Sequence, residues 1–365
     1  MSVTALPPVP HYNAAPPTKA DLDYADLATI DLSKMESAQG RAALASQVRD
    51  ALLTHGFFYV VNHGYPQTQG NRMFDIADVP FSCVSDEEKR LYSDIDQEET
   101  GWYQAYKLRQ YWHIDAGVRD QLEYINIDRD VHKQGHPEAL RPFHPEIEEF
   151  ARFNHANVLF AVLRLIALSL ELPEDALVKI HNCNGLGEAF VRFIKYYPRS
   201  AEDEEKTNNV WLKGHTDSGS ITILWSQPVA ALQILGKDGK WRWVKHVENA
   251  LVVNAGDAMD FLTGGYYKGT IHRVVQPPPD QQQYTRLGVF YFTMTDGDVK
   301  LVPLYESPVL KRVGINPRCE DSVAPTMLEW RRRRANGYGR TELRPSKEKG
   351  VEEEIINGLV IKHYN

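Results

Sequence analysis

The sequence lacks several features that would define its class at once. Its three cysteines, Cys83, Cys183 and Cys319, are odd in number and far apart, which excludes a disulfide framework and a CxxC metal site. With 41 basic against 49 acidic residues, the chain is a poor candidate for non-specific nucleic-acid binding. It also lacks an uninterrupted apolar run long enough to cross a membrane. Residues 1–18 lack the basic start and apolar core of a secretory signal. We therefore expect a cytoplasmic protein that does not act at a membrane.

Short β-rich runs alternate with turn signals after residue 187, and this rhythm is the strongest fold signal in the chain. Eight such runs, separated by sequences such as Asp238-Gly239 and Gly264-Gly265, predict a closed or two-sheet β structure such as a jelly roll. The runs span residues 189–197, 220–225, 231–235, 241–245, 250–253, 258–263, 270–275 and 287–293. The expected fold class is mainly β with flanking helices and a jelly-roll core.

Composition divides the chain into four segments. A proline-rich start predicts an extended arm, and apolar residues at helical spacing predict a long support helix over residues 145–170. The charged end is expected to be helical, with the Arg331–Arg334 run on a solvated face. The predicted segments are the arm (1–24), an α/β region with the support helix (25–185), the jelly-roll core (186–310) and a C-terminal helical segment, a possible lid (311–365).

One constellation of metal-binding residue types lies within the β-rich region. His215 and Asp217 are two residues apart, so in extended chain both side chains point to the same face. His272, in a later predicted strand, is the candidate for a third ligand. Two histidines and one carboxylate on one face leave coordination positions open, which is the pattern of non-haem Fe(II) oxygenases. A closed four-ligand zinc site would leave none open.

A second His-x-Asp pair, His113 and Asp115, tests how specific this pattern is. It lies in an aromatic stretch outside the predicted β core, so we interpret it as a loop or surface pair. A zinc hydrolase is disfavoured because no additional general base stands beside His215, Asp217 and His272.

Four stretches of the chain resemble the isopenicillin N synthase-like family of Fe(II)/2-oxoglutarate-dependent dioxygenases. They are the GFFYVVNHG segment, the YYP strand, the HTD metal motif and the GD…YKGTIHRV block, at residues 56–64, 196–198, 215–217 and 256–274. The resemblance implies a double-stranded β-helix, Fe(II) held by His215, Asp217 and His272, and 2-oxoglutarate and O2 as co-substrates. It predicts no catalytic side chain beyond the metal centre.

The resemblance also implies how 2-oxoglutarate is anchored. Arg286 stands where the family's Arg-x-Ser motif binds the far carboxylate, but the serine position is Gly288. Tyr197 is expected to contact the co-substrate, with ordinary strand packing as its alternative. The missing serine leaves open an iron oxidase that does not use 2-oxoglutarate. A non-catalytic jelly-roll binding protein is a third possibility, disfavoured by the complete ligand set.

Aromatic residues outside the core suggest a small hydrophobic or aromatic substrate. The family's equivalent segment faces the substrate pocket, so Tyr103, Tyr106 and Arg109 are candidate substrate contacts, with core packing as the alternative. The expected reaction is C–H oxidation by hydroxylation, desaturation or cyclisation.

The apolar end of the chain, residues 351–365, is expected to dock over the site as a lid or on the N-terminal helices. The expected partner is a small molecule, not nucleic acid; the sequence does not indicate an oligomeric state.

Overall fold

The structure, a computed structural model, describes residues 6–93, 106–182, 189–337, 344–347, 351–356 and 359–364. The helices are α1 (Ala38–Thr54), α2 (Gln67–Ser82), α3 (Asp86–Leu91), α4 (His144–Phe153), α5 (Phe160–Ser169), α6 (Ala201–Lys206), α7 (Asp257–Leu262), α8 (Pro308–Val313) and α9 (Met327–Gly337). The first strands are β1 (Thr29–Asp31), β2 (Phe57–Val61), β3 (Tyr106–Lys107), β4 (His113–Asp115), β5 (Val118–Arg119), β6 (Leu122–Asp128), β7 (Phe190–Tyr196) and β8 (Val210–His215). The remaining strands are β9 (Ile221–Trp225), β10 (Leu232–Leu235), β11 (Trp241–Trp243), β12 (Leu251–Ala255), β13 (His272–Val275), β14 (Arg286–Thr293), β15 (Arg344–Pro345), β16 (Val351–Ile356) and β17 (Leu359–Tyr364).

Two large sheets form the centre of the molecule. One has eight strands in the order β1-β2-β12-β9-β14-β7-β6-β3, and the other has seven in the order β11-β10-β13-β8-β17-β16-β15. A cavity between them is lined by side chains of both sheets, among them Phe290 from the first and Leu232 from the second. The predicted mainly β class with a jelly-roll core is confirmed.

Helices cover the outer face of the eight-stranded sheet. The predicted long support helix is present as α4 and α5, joined by a π-helical segment at Asn154–Leu159. This segment turns two polar side chains toward the sheet: Asn154 accepts from Trp225 Nε1 (3.1 Å), and His155 Nδ1 lies 2.9 Å from the Tyr291 hydroxyl. The helical stretch 138–169 is apolar and long enough to cross a bilayer, but 61% of its most apolar window is buried within the protein. Its apolar side therefore packs on the sheet.

The N-terminal part of the chain is joined to the core by backbone pairing. β2 pairs with β12, and β6 pairs with β7 along its whole length. The proline-rich arm is also docked: the Tyr12 amide donates to Asp75 (2.8 Å), and Gln281 Nε2 donates to the Pro16 carbonyl (2.7 Å). The predicted N-terminal region and the predicted jelly-roll core therefore contribute strands to one sheet.

One predicted strand is wrong. Residues 258–263 are not a strand, because Asp257–Leu262 forms α7. The run is short and four of its six residues are apolar, and such short runs do not distinguish strand from helix. The buried side chains Ala258, Met259, Phe261 and Leu262 have helical rather than alternating spacing.

The prediction of a wholly helical C-terminal segment is also wrong. α9 is present, but β15, β16 and β17 follow it. Between β16 and β17 the sequence reads Asn357-Gly358, a pair typical of two-residue hairpins, so the sequence does contain a signal for the pairing of these two strands. The solvated face predicted for Arg331–Arg334 is wrong for Arg331 and Arg334, which are buried, whereas Arg332 is exposed.

Candidate metal centre and co-substrate cavity

Three side chains converge at one end of the cavity. His215 ends β8, Asp217 follows it, and His272 begins β13, which pairs with β8 at these two histidines. Asp217 Oδ1 lies 4.0 Å from His215 Nε2 and 3.8 Å from His272 Nε2. Each side chain offers one ligand atom, and the three atoms lie within 4.8 Å of one another. The spacing leaves room for an ion between them.

Neighbouring groups fix which atom of each residue is free to coordinate. His215 Nδ1 faces the Lys213 carbonyl (2.8 Å) and His272 Nδ1 faces the Thr270 carbonyl (3.1 Å), so each Nε2 is the atom without a proton. Asp217 Oδ2 accepts from Thr222 (2.7 Å) and from Asn254 (2.9 Å), which leaves Oδ1 for a metal. The donor set therefore fits Fe(II).

The protonation states suit metal binding. Burial lowers the pKa of His215, and the nearby His272 lowers it further. Burial alone would raise the pKa of Asp217, but the two histidines and the hydrogen bonds from Asn254 and Thr222 outweigh it, so its pKa is lowered. Neutral imidazole and ionised carboxylate are the forms that coordinate metals.

A buried cation lies deeper in the cavity. Arg286 is 2% exposed, and its Nε and Nη1 atoms are buried without a hydrogen-bond partner in the part of the chain that the structure describes. Burial lowers the pKa of Arg286, but a guanidinium stays protonated at neutral pH. A buried, unpaired charge is costly, so this site favours an incoming carboxylate. The residues present therefore fit 2-oxoglutarate between the metal and Arg286.

The prediction for Tyr197 is not supported by the geometry. Alternate residues of β7 face opposite sides of the sheet, and Tyr196, not Tyr197, lines the cavity beside Arg286. The Tyr197 hydroxyl instead donates to Glu123 (2.5 Å) on the other side. An error of one residue in assigning which side chains of a strand face the cavity exchanges the two faces of the sheet.

Packing explains why the family's serine is absent. A Cβ added to Gly288 would lie 2.7 Å from a ring carbon of Phe290 and 2.9 Å from a methyl group of Ile194. Phe290 therefore occupies the space that a residue-288 side chain would need. The missing hydroxyl therefore reflects the shape of this cavity wall.

The Gly288→Ser variant tests this explanation. We expect it to lower stability by about 1–3 kcal/mol through overpacking and not to tighten 2-oxoglutarate binding. The double variant with Phe290→Ala should recover part of the loss introduced by the serine, relative to Phe290→Ala alone. Denaturant melts and co-substrate titration measure both quantities. A stable single variant with tighter 2-oxoglutarate binding would contradict the packing explanation.

Two of the three predicted substrate contacts, Tyr106 and Arg109, do not line the cavity. Tyr103 lies outside the described residues. Tyr106 is buried, and its hydroxyl donates to Glu123 (2.7 Å). Arg109 is exposed on the far side, with its guanidinium 4.7 Å from the Tyr197 ring. The second His-x-Asp pair, at His113, lies in the small β4–β5 sheet and joins no metal-ligand group within the described ranges.

Several contributors were missed from the sequence. Thr222 and Asn254 hold Asp217, and nothing in their spacing indicates that role. Arg334 reaches the cavity from α9 and donates to the Thr216 carbonyl (3.1 Å), between two metal ligands. Thr216 in turn donates to Asp257 (2.9 Å). The segment that carries His215 and Asp217 is therefore held by Arg334 on one side and by Asp257 on the other.

Comparison with known proteins identifies the family. Residues 27–146 match the non-haem dioxygenase in morphine synthesis N-terminal family, and residues 190–295 match the 2OG-Fe(II) oxygenase superfamily. Protein DMR6-LIKE OXYGENASE 1 of Arabidopsis thaliana is 30% identical over 271 residues, covering 73% of this chain and 72% of that protein. The 2-oxoglutarate-Fe(II) type oxidoreductase hxnY of Emericella nidulans is 30% identical over 266 residues, covering 67% and 74%. A full-length Neurospora crassa protein, solved in complex with alpha-KG, has the same fold, with a TM-score of 0.72 at 20% identity over 88% of this chain and 99% of that one.

The chain belongs to the 2OG-Fe(II) oxygenase superfamily. It is an Fe(II)/2-oxoglutarate-dependent dioxygenase that uses Fe(II), 2-oxoglutarate and O2. The resemblance based on the four motifs is confirmed. The non-catalytic alternative and the alternative without 2-oxoglutarate lose their support.

Proposed function

We propose that the protein couples oxidative decarboxylation of 2-oxoglutarate to C–H oxidation of a small aromatic molecule. The observation that carries this proposal is one cavity that holds the His215–Asp217–His272 set, an Arg286 whose Nε and Nη1 have no partner among the described residues, and seven aromatic side chains in its wall. Iron, when bound, would supply the redox chemistry: one oxygen atom of O2 enters succinate with release of CO2, and the other enters the substrate in hydroxylation or leaves as water in desaturation and cyclisation.

The chain's own residues have separate tasks in this reaction. His215, Asp217 and His272 hold the ion on one face, and Arg286 fixes the far carboxylate of the co-substrate. The apolar wall, which includes Phe290, Phe292 and Leu224, excludes water and orients the substrate. Hydroxylation, desaturation and cyclisation all fit this arrangement.

The proposal is tested by measuring succinate formed across a library of small aromatic and aliphatic compounds. We expect aromatic compounds to stimulate succinate formation and to be oxidised in equal molar amount. Coupled oxidation of aliphatic compounds alone would contradict the aromatic assignment. Full succinate formation without oxidation of any compound would contradict the C–H oxidation itself.

We further propose that the end of the chain closes the cavity. β17 pairs with β8 through Tyr364 and Gly214, directly before the metal ligand His215. A Cβ at Gly214 would lie 2.8 Å from that of Tyr364, so glycine permits this close approach. Lys213 forms an ion pair with Glu352 of β16. These contacts of the described tail residues, beside a predicted metal ligand, support the lid proposal.

Deleting residues 351–365 should therefore uncouple the reaction. Without the tail, we expect 2-oxoglutarate decarboxylation to continue while substrate oxidation falls. Water would no longer be excluded from the cavity, and the substrate would no longer be held in position. Fe(II) binding should persist, since its ligands lie outside the deleted segment. The ratio of succinate to oxidised product is the measurement. An unchanged ratio with unchanged substrate preference would show that the tail is structural only.

A further inference from the structure

A second arginine faces the cavity at a distance from Arg286. Arg192 lies on β7 and lines the cavity, four residues before Tyr196. Tyr196 is paired with Arg286, and Arg192 is paired with Phe290. Four residues of extended chain span about 13 Å. The two cations therefore occupy separate parts of one cavity.

Aromatic rings surround the Arg192 guanidinium. Its central carbon lies 4.1 Å from the ring centre of Tyr124, 4.8 Å from that of Phe292 and 5.6 Å from that of Phe190. Its Nε donates to Asn126 Oδ1 (2.7 Å), which fixes the orientation of the planar group. Within the described ranges, no carboxylate lies within ion-pair distance of it. The charge is thus held in place but not neutralised by an acidic partner.

The co-substrate does not account for this cation. In the proposed reaction one end of 2-oxoglutarate binds the metal, and its other carboxylate binds Arg286. Arg192 lies four residues along β7 from Tyr196, the residue paired with Arg286, so it remains available for another anion.

The aromatic wall leads from Arg192 to the metal centre. Phe190 pairs with Phe292 of β14, and Phe292 pairs with Thr222 of β9. The Thr222 hydroxyl donates to the metal ligand Asp217. A flat molecule against these rings would have one end at Arg192 and the other near the iron site.

We propose that Arg192 binds the carboxylate of an aromatic acid and that such an acid is the substrate class. This inference rests on the proposed function, because it places the substrate beside the metal. The guanidinium supplies charge-assisted hydrogen bonds, and Tyr124, Phe190 and Phe292 supply contacts for the ring. The anion restores charge balance in a site whose own cation is otherwise unpaired.

The test compares matched acids and amides on the protein loaded with Fe(II) under anaerobic conditions and saturated with 2-oxoglutarate. The probes are 2-naphthoate against 2-naphthamide and benzoate against benzamide, titrated by calorimetry. We expect at least one acid to bind on the order of tenfold or more tighter than its amide. Arg192→Gln should remove that preference and leave the amide affinity within about twofold. Arg192→Lys should recover part of the preference, because lysine keeps the positive charge but cannot form the two parallel hydrogen bonds of a guanidinium.

Lys195→Gln is the matched control. Lys195 lies on the same strand but faces the other side, where it pairs with Asp78 (2.6 Å). Its loss removes one positive charge without touching the cavity, so the acid preference should persist. Thermal melts of all variants show whether each is folded.

Two results would overturn the inference: equal binding of acid and amide by the unaltered protein, or an acid preference that survives in folded Arg192→Gln. Failure of the proposed function looks different: succinate would form without oxidation of any compound, or aliphatic compounds alone would be oxidised. The acid and amide titrations measure binding without turnover, so they report on Arg192 in either case.

Discussion

Replacing His215 with alanine should abolish Fe(II) binding and turnover while leaving the fold intact. The side chain is one of three ligands, and those ligands line a cavity at the end of a strand, not the apolar core. Loss of a group that merely orients a ligand costs about 10–100-fold in metal affinity, so loss of a ligand should cost at least ~100-fold. Asp217→Ala should behave in the same way. Equilibrium dialysis against Fe(II), with circular dichroism for the fold, measures both.

Two further variants make this prediction specific. Thr222→Val removes one hydrogen bond to Asp217 and should weaken Fe(II) binding by about 10–100-fold without abolishing it. His113→Ala removes the exposed histidine of the other His-x-Asp pair and should leave Fe(II) affinity unchanged. Iron retained by His215→Ala but lost from His113→Ala would reverse the assignment.

The second large effect is expected at Arg286. Arg286→Ala should weaken 2-oxoglutarate binding on the order of 30-fold or more, because truncating one partner of a buried charge pair costs roughly 2–5 kcal/mol. Fe(II) affinity should change much less, since Arg286 is not a metal ligand. Arg286→Lys should recover only part of the loss, because an ammonium group cannot form the bidentate fork.

The matched control for Arg286 is Arg242→Ala, which removes a guanidinium bonded to Asp238 outside the cavity. Titration of 2-oxoglutarate into the Fe(II)-loaded protein gives the affinities. Unchanged co-substrate affinity in Arg286→Ala would place the anchor elsewhere in the cavity.

The metal ligands could be predicted because their signal is local. His215 and Asp217 are neighbours in sequence, and His272 stands in a short strand with its own motif. The jelly-roll core could be predicted for a similar reason, since short strands and tight turns follow one another along the chain. The contact from Asn254 to Asp217 is not local: the two residues are 37 apart in sequence, and the pairing of β12 with β9 brings them together.

The errors have physical causes of their own. Tyr196 and Tyr197 differ by one residue, and only the register of β7 shows which one faces the cavity. Tyr106 and Tyr197, predicted to contact ligands, both donate to the buried Glu123, an acceptor with no local sequence signal. Arg331 and Arg334 are buried because strands of the C-terminal hairpin and the ligand loop enclose α9, which a charge pattern cannot reveal.

The strand order of the large sheet also constrains how the chain folds during synthesis. The N-terminal half supplies both outer pairs, β1 with β2 and β6 with β3, whereas the four inner strands come from the second half. Pairing of Val60 with Leu251 must close a very long loop, which slows folding. Until the second half emerges from the ribosome, β2 and β6 each present an unpaired edge. A fragment with only the inner strands would expose two edges and tend to aggregate, so the halves must fold together.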